Sequence, residues 1–195
     1  MKQNNTVLGL SVAAIFAITI IAISATPTAM AKSDANGQPD LVATLTAEGS
    51  NDAKGKALFW FNDDASELRY KIVLNKVDVG SNGQDKNVGK GLEYYVTKLH
   101  IHYAPGGVHM PMHLFNIIGP ADDNNLKIAG HTFSGIWDDD DAPGNAEHEH
   151  HQTKTLSSQI AALCNGDTDV NVHLSDSGGF IRGVIETNSD VCSEL

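Results

Sequence analysis

The sequence lacks the short motifs that identify the common hydrolases, nucleotide-binding enzymes and thiol oxidoreductases. No G-x-S-x-G, H-E-x-x-H, P-loop or C-x-x-C pattern occurs in its 195 residues. Serine, histidine and aspartate are present, but no spacing among them matches a catalytic arrangement. A hydrolase is therefore unsupported, and an enzymatic function is not favoured.

Basic residues are also scarce. The chain has 13 Lys and Arg residues against 24 Asp and Glu residues, which gives a formal net charge of −11. An acidic chain is repelled by nucleic acid and by anionic membrane surfaces, so neither is an expected partner. Cations, metal ions among them, fit this charge better. The alternative explanation of the acidity is that it keeps an extracellular protein soluble.

The one long hydrophobic run lies at the N-terminus. Residues 7–23 are almost wholly apolar, Lys2 precedes them, and residues 29–31 (AMA) match the small-x-small pattern of a signal peptidase site. We interpret residues 1–31 as a secretory signal, with an uncleaved membrane anchor as the alternative. The protein is then expected to be secreted or held at the extracytoplasmic cell surface.

The rest of the chain is predicted to form one domain, at residues 40–190, behind a flexible linker at 32–39. Its two cysteines, Cys164 and Cys192, are expected to pair, because export exposes them to an oxidising compartment. A hairpin of residues 169–174 and 180–186 is expected to pair His173 near Phe180. Extending this register puts Cys164 close to residue 189, three residues from Cys192, which supports the pairing. The bridge is expected to stabilise the fold by about 3 kcal/mol.

Alternation of apolar and polar residues predicts a largely β structure. A single short helix is expected at 155–164, with Thr155 or Ser157 as N-cap and Gly166 just beyond its end. Many short strands with one helix before the last hairpin indicate an all-β sandwich. The predicted strands are 40–47, 56–61, 67–74, 95–103, 112–118, 127–137, 169–174 and 180–186.

Three histidines lie on the polar side of two predicted strands. Leu99 and Ile101 share the core face, so His100 and His102 point to the other face, and the same rule directs His173 away from the core. Residues two apart on a strand are separated by roughly 6.5–7 Å, which lets both imidazoles reach one ion. The three therefore form a candidate site for Cu(II), Zn(II) or Ni(II). The alternative is that they hydrogen-bond to a covering loop without metal.

Three further histidines are candidate fourth donors. His109 and His113 flank Met-Pro-Met, and thioether sulfur favours Cu(I). The alternative places Met112 in the core and makes His113 an ordinary strand residue. His131 lies in an otherwise apolar strand and is equally consistent with a structural histidine.

The last three histidines, His148, His150 and His151, belong to an acidic stretch at 138–152. This stretch has no large apolar side chain up to residue 151, so it is predicted to be a loop. Its carboxylates and imidazoles can collect transition metals loosely, or Ca(II) through the acids alone. A solvated surface insertion explains the same composition.

Three segments in this order resemble the signatures of the chordin-type CHRD domain family: 99–105 (LHIHYAP), 164–173 (CNGDTDVNVH) and 178–183 (GGFIRG). Residues 41–47 and 61–72 are similar to that family's opening strands and the turn between them. The resemblance covers most of residues 40–187. It implies a secreted, immunoglobulin-like antiparallel sandwich whose histidines fall on His100, His102 and His173, and whose arginine falls on Arg182.

The sequence departs from the family pattern in three places. The family's usual glutamate before I-R-G is Phe180 here, which weakens any ligand role for that position. A Gln-Glu-Val-Pro-Pro-like stretch is replaced by residues 47–52. The loops at 80–92 and 138–152 are interpreted as insertions.

Three functions follow as hypotheses. The first is a non-enzymatic exported domain that binds a divalent transition metal, copper or zinc with copper favoured, through His100, His102 and His173. The second is a cell-surface module that binds an extracellular protein or matrix partner without metal. The third is a copper enzyme similar to Cu,Zn superoxide dismutase, which shares an H-x-H strand on a sandwich, although that enzyme's full ligand order is absent.

Overall fold

The computed structural model describes residues 37–49, 51–77, 94–119, 123–141, 152–175 and 179–195. The predicted signal at 1–31, most of the linker, the loop at 80–92 and residues 142–151 of the acidic loop lie outside this range. The two linker residues Gly37 and Pro39 contact the domain, because their carbonyls accept hydrogen bonds from Trp60 Nε1 and Asn188 Nδ2. Within the described ranges, no helix is long and apolar enough to cross a membrane.

The described chain is mainly antiparallel β-structure, as the alternation predicts. Its strands join in one sheet with the order β5-β4-β8-β9-β1-β2-β3-β7-β6, and β10 pairs with β1. The strands are β1 Leu41–Glu48, β2 Lys54–Phe61, β3 Glu67–Asn75, β4 Val96–Tyr103, β5 His113–Ile118, β6 Lys127–Ala129, β7 Thr132–Asp138, β8 Thr168–Leu174, β9 Phe180–Val184 and β10 Glu186–Thr187.

The sheet curls so that its two halves enclose one hydrophobic core. Phe115 of β5 lies in edge contact with Tyr70 of β3, with ring centroids 5.9 Å apart, and stacks on Trp137 of β7 at 4.9 Å. These strands stand far apart in the sheet order, so the contacts can form only if one half folds over the other. The predicted all-β sandwich is therefore confirmed, although one continuous sheet supplies both layers.

One predicted strand is wrong. The apolar run at 127–137 forms two strands, β6 and β7, joined by a turn at Gly130 and His131. Gly130 has φ +59°, a conformation that glycine adopts without steric cost. The run therefore reverses on itself, and its two arms pair as a hairpin.

The predicted helix is confirmed as α1 Leu156–Cys164, and a second helix of four residues, α2 Val191–Glu194, follows the last strand. Thr155 is the N-cap residue, but its side chain makes no capping hydrogen bond. The carboxylate of Asp139 caps the helix instead, because it accepts hydrogen bonds from both the backbone N–H and the hydroxyl of Ser157. Part of the acidic stretch therefore caps a helix.

Cys164 at the end of α1 and Cys192 in α2 form a disulfide, with Cα atoms 5.4 Å apart. Helix α2 ends close to the C-terminus. Its residues Val191 and Cys192 pack against the core and are partly buried. The bridge therefore ties the C-terminal segment to the domain.

Removing the bridge is expected to destabilise the domain. The variant Cys164→Ala/Cys192→Ala should lose about 3–4 kcal/mol of unfolding free energy, because the unfolded chain regains the entropy of a loop with a sequence separation of 28. Urea unfolding measures this loss. Reduction of the wild type should reproduce it, and an unchanged midpoint in both cases would contradict the prediction.

Candidate metal centre

The candidate site lies on the face of β4 opposite the hydrophobic core. Leu99 and Ile101 of β4 are buried in the core, so the alternate residues His100 and His102 project from the other side. On β8 the residues opposite them are polar, because His100 pairs with Asn171 and His102 pairs with Asp169. This half of the sheet therefore has an apolar face and a polar face.

Strand β5 adds a third histidine through irregular pairing. His100 pairs with Asn116 and His102 with His113, with one register shift between Leu99 and His100 and another between Ile101 and His102. In a regular strand, Asn116 and His113 would point to opposite faces, because they are three residues apart. The bulges place both opposite the histidines of β4.

The three imidazoles are buried, although they lie on the side away from the core. His100, His102 and His113 are 1%, 3% and 5% exposed. The sequence correctly predicts the side to which His100 and His102 point, but not that this side is covered. Two segments contribute to the cover: residues 104–112 fold back onto β4 through Tyr103, and residues 152–154 run beside β5.

The ligating nitrogens of these three rings converge. One nitrogen from each of His100, His102 and His113 lies within 4.8 Å of the other two. The closest pair, Nδ1 of His100 and Nε2 of His102, is 3.2 Å apart. Nitrogens bound at about 2.0–2.1 Å to a tetrahedral ion stand about 3.3 Å apart, so an ion that replaced the hydrogen bond between these two nitrogens would require little movement of either ring.

Hydrogen bonds fix the orientation of two rings. His102 Nδ1 donates to the carbonyl of Met110 at 2.9 Å, and His113 Nδ1 donates to Asn116 Oδ1 at 2.7 Å. A neutral imidazole with hydrogen on Nδ1 has its lone pair on Nε2. Both rings therefore direct Nε2 as the electron-pair donor, which is the arrangement usual in metal-binding histidines.

The third ring has a buried nitrogen without a partner. Because Nε2 of His102 bears the lone pair, Nδ1 of His100 donates its hydrogen to it, and the lone pair of His100 is on Nε2. Within the described part of the chain, Nε2 of His100 is buried and has no hydrogen-bond partner. Leaving such an atom unsatisfied costs about 1–3 kcal/mol, so the metal-free cluster is incomplete.

A second group of charged residues borders the triad. His109 Nδ1 lies 2.9 Å from the fully buried carboxylate of Asp169, and its ring centroid is 4.4 Å from that of His102. Arg182 connects the same carboxylate, at 3.7 Å, to Glu48 at 2.8 Å. His109 is therefore held beside the triad by the carboxylate of Asp169.

His173 lies at the other side of the triad. Its ring centroid is 5.1 Å from that of His100 and 4.7 Å from that of Phe180, whose ring is nearly perpendicular to it. The expected hairpin register is observed, because His173 pairs with Phe180. A cavity of about 300 Å³ opens here, lined by Glu48, His102, His109, Pro111, His113, Asn171, His173, Phe180 and Arg182.

Burial keeps the imidazoles neutral. Loss of hydration lowers the pKa of His102 to about 3 and that of His173 to about 4, and it lowers the pKa of His100 further. Repulsion from the neighbouring histidines acts in the same direction. Neutral imidazole is the form that binds metal, so protons compete little at neutral pH.

The remaining candidate residues are placed elsewhere. His131 is exposed in the β6–β7 turn, at the opposite end of the sheet order from β4 and β5. Met112 packs against the core. His148, His150 and His151 lie outside the described residues.

The sequence reasoning missed Asp169, Asn171 and Asn116. The first two were detectable, because Asp169, Asn171 and His173 alternate along one strand face. Asn116 was not, because its place opposite His100 depends on the β5 bulges.

The sequence matches the CHRD domain over residues 41–185, which is more than half of the chain. The chain belongs to the CHRD domain family. No curated protein and no solved structure matches it. In this CHRD domain, His100, His102, His173 and Arg182, which correspond to the family's motif residues, all lie in the polar layer around the triad. Gly183 of the same motif allows β9 to approach β1, because a Cβ there would lie 2.2 Å from the carbonyl oxygen of Thr44.

The depressed histidine pKa values predict a pH-dependent stability in the metal-free protein. The unfolded chain protonates its imidazoles near pH 6.5, whereas folded His102 and His173 resist protonation down to about pH 3 and 4. The unfolded state therefore binds more protons as the pH falls below 6.5. The histidine contribution to stability is complete above this pH and is lost below it, at up to about 1.4 kcal/mol per pH unit for a buried ring such as His102.

Three carboxyls act in the opposite direction, because loss of hydration raises the pKa values of Asp123, Asp141 and Asp169, that of Asp141 to about 6. The test therefore compares the pH dependence of stability in the wild type with that in a histidine variant and in a control variant. Urea midpoints of His173→Gln, measured with chelator, should fall less steeply with acidification than those of the wild type. His131→Gln should follow the wild type, and identical slopes in all three proteins would refute the assignment.

Proposed function

We propose that this protein is an exported CHRD domain that binds one divalent transition-metal ion, with copper favoured, and that it acts without catalysing a reaction. The observation that supports this best is the convergence of three buried imidazole nitrogens from His100, His102 and His113 within 4.8 Å. His173 and His109 border this set and are available as a further donor.

The hydrogen bonds around the triad support metal binding over a purely structural cluster. A structural cluster satisfies its polar atoms internally, but Nε2 of His100 remains without a partner in the described part of the chain. Meanwhile Met110 accepts from Nδ1 of His102 and Asn116 accepts from Nδ1 of His113, which fixes both rings in the tautomer with the lone pair on Nε2. The missing interaction therefore belongs to one of the three clustered rings.

The chemistry of the donor set favours copper. All three donors are imidazole nitrogens, which suit Cu(II), Zn(II) and Ni(II). Among the first-row divalent ions, a site of given donors binds Cu(II) most tightly. Two thioethers lie close in sequence to His113. That of Met112 packs against the core and Met110 is 39% exposed, so they give little reason to expect a site specialised for Cu(I).

The proposal predicts that one metal ion stabilises the wild type. A ligand at one hundred times its Kd stabilises the folded state by about 2.7 kcal/mol. For a domain of this size, that corresponds to a rise in Tm of about 5–10 °C. Thermal unfolding with copper or zinc, together with mass-spectrometric metal content after dialysis, measures both effects.

Two matched variants separate the triad from the acidic loop. His100→Gln/His102→Gln/His113→Gln should lose the stoichiometric ion and the rise in Tm, whereas His148→Gln/His150→Gln/His151→Gln should keep both. Circular dichroism checks that each variant folds, and the single variant His113→Gln, expected to weaken affinity at least about tenfold, substitutes for an unfolded triple variant. Retention of the ion by the triad variants and its loss from the loop variant would move the site to the loop. No ion in the wild type would favour a metal-free interaction module.

A further inference from the structure

The side of the triad nearest His173 opens to the cavity of about 300 Å³ rather than to packed protein. His102 and His113 form part of its wall, and Asn171 and His173 form another part. One water molecule occupies about 30 Å³ of liquid, so the cavity has room for several small molecules. An ion held by the triad therefore has space beside it.

Two more buried polar atoms belong to residues of this cavity wall. In the described part of the chain, Oδ1 of Asn171 and Nε2 of His173 are buried without a hydrogen-bond partner. Asn171 is only 4% exposed. Such atoms are rare in folded proteins and mark a place where a small ligand or a bound water supplies the missing hydrogen bonds.

The charge balance indicates what kind of ligand belongs there. Three neutral imidazoles do not reduce the double positive charge of the ion. The nearest buried carboxylate, Asp169, is already matched by His109 and Arg182. A buried charge without compensation is costly, so a negatively charged ligand on the ion is favoured over a neutral one.

We propose that the ion bound by His100, His102 and His113 keeps one coordination position open to this cavity, and that a small monoanion exchanges with water there. This inference rests on the proposed metal site. Sites closed by four protein donors are structural, whereas sites with three protein donors keep an exchangeable position. The CHRD domain would therefore present its metal to small anions from the surroundings.

The probe is azide, added to the copper-loaded protein. Azide enters the open position as water leaves, and copper stays Cu(II). We expect a saturable azide-to-copper charge-transfer band with one azide per copper, together with a changed electron paramagnetic resonance spectrum. Copper content is measured on the same sample, so that the metal and the anion are counted separately.

Phe180 offers a matched pair of variants. Its ring borders the cavity and is 41% exposed, so polar replacements there are expected to fold. Phe180→Glu places a negative charge near the open position and should weaken azide binding about tenfold. Phe180→Gln has nearly the same shape as Phe180→Glu without the charge, so the expected loss of about tenfold is measured between these two variants.

The outcomes are distinguishable. Bound copper with no response to azide would overturn the open position and show that a protein donor, such as His109 or His173, closes the site, while the metal site itself stands. Equal azide affinity in the Glu and Gln variants would overturn the charge argument. A wild type that binds no stoichiometric copper would overturn both the site and this inference.

Discussion

The burial of three imidazoles against one another is the constraint on which the rest of the site depends. His100, His102 and His113 have little contact with water, and each lies close to the other two, so none can hold a second proton without repelling its neighbours. Neutral rings must then satisfy their nitrogens by hydrogen bonds. Met110 and Asn116 accept hydrogen bonds from two rings, whereas the buried Nε2 of His100 has no partner in the described part of the chain.

The fold supplies this constraint through its two-faced sheet. One face of β4 and β8 completes a hydrophobic core in which Phe115 stacks on Trp137, and this packing holds the strands in register. The opposite face is then free to be polar, and residues 104–112 and 152–154 cover it. Asp169, at the centre of that face, links His109 to Arg182, so one buried carboxylate organises the second layer around the triad.

Much of this was predictable from the sequence, and the remainder has identifiable physical reasons. Period-two alternation gave the strands, the side to which His100, His102 and His173 point, and a hairpin register that put Phe180 beside His173. It failed at Gly130, where one apolar run contains a turn. It also failed to bring His113 opposite His102, because that contact depends on bulges in the pairing of β4 and β5, for which the sequence contains no local signal. Burial of the polar face depends on distant segments and was likewise not visible.

The most direct test of the central claim is the position of the ion itself. Crystals of the copper-loaded protein, measured at the copper absorption edge, yield an anomalous difference map that locates the metal without reference to any proposed geometry. The account predicts one strong peak among the imidazoles of His100, His102 and His113, with bonds of about 2.0–2.1 Å. A peak elsewhere, or none among these three rings, would contradict it.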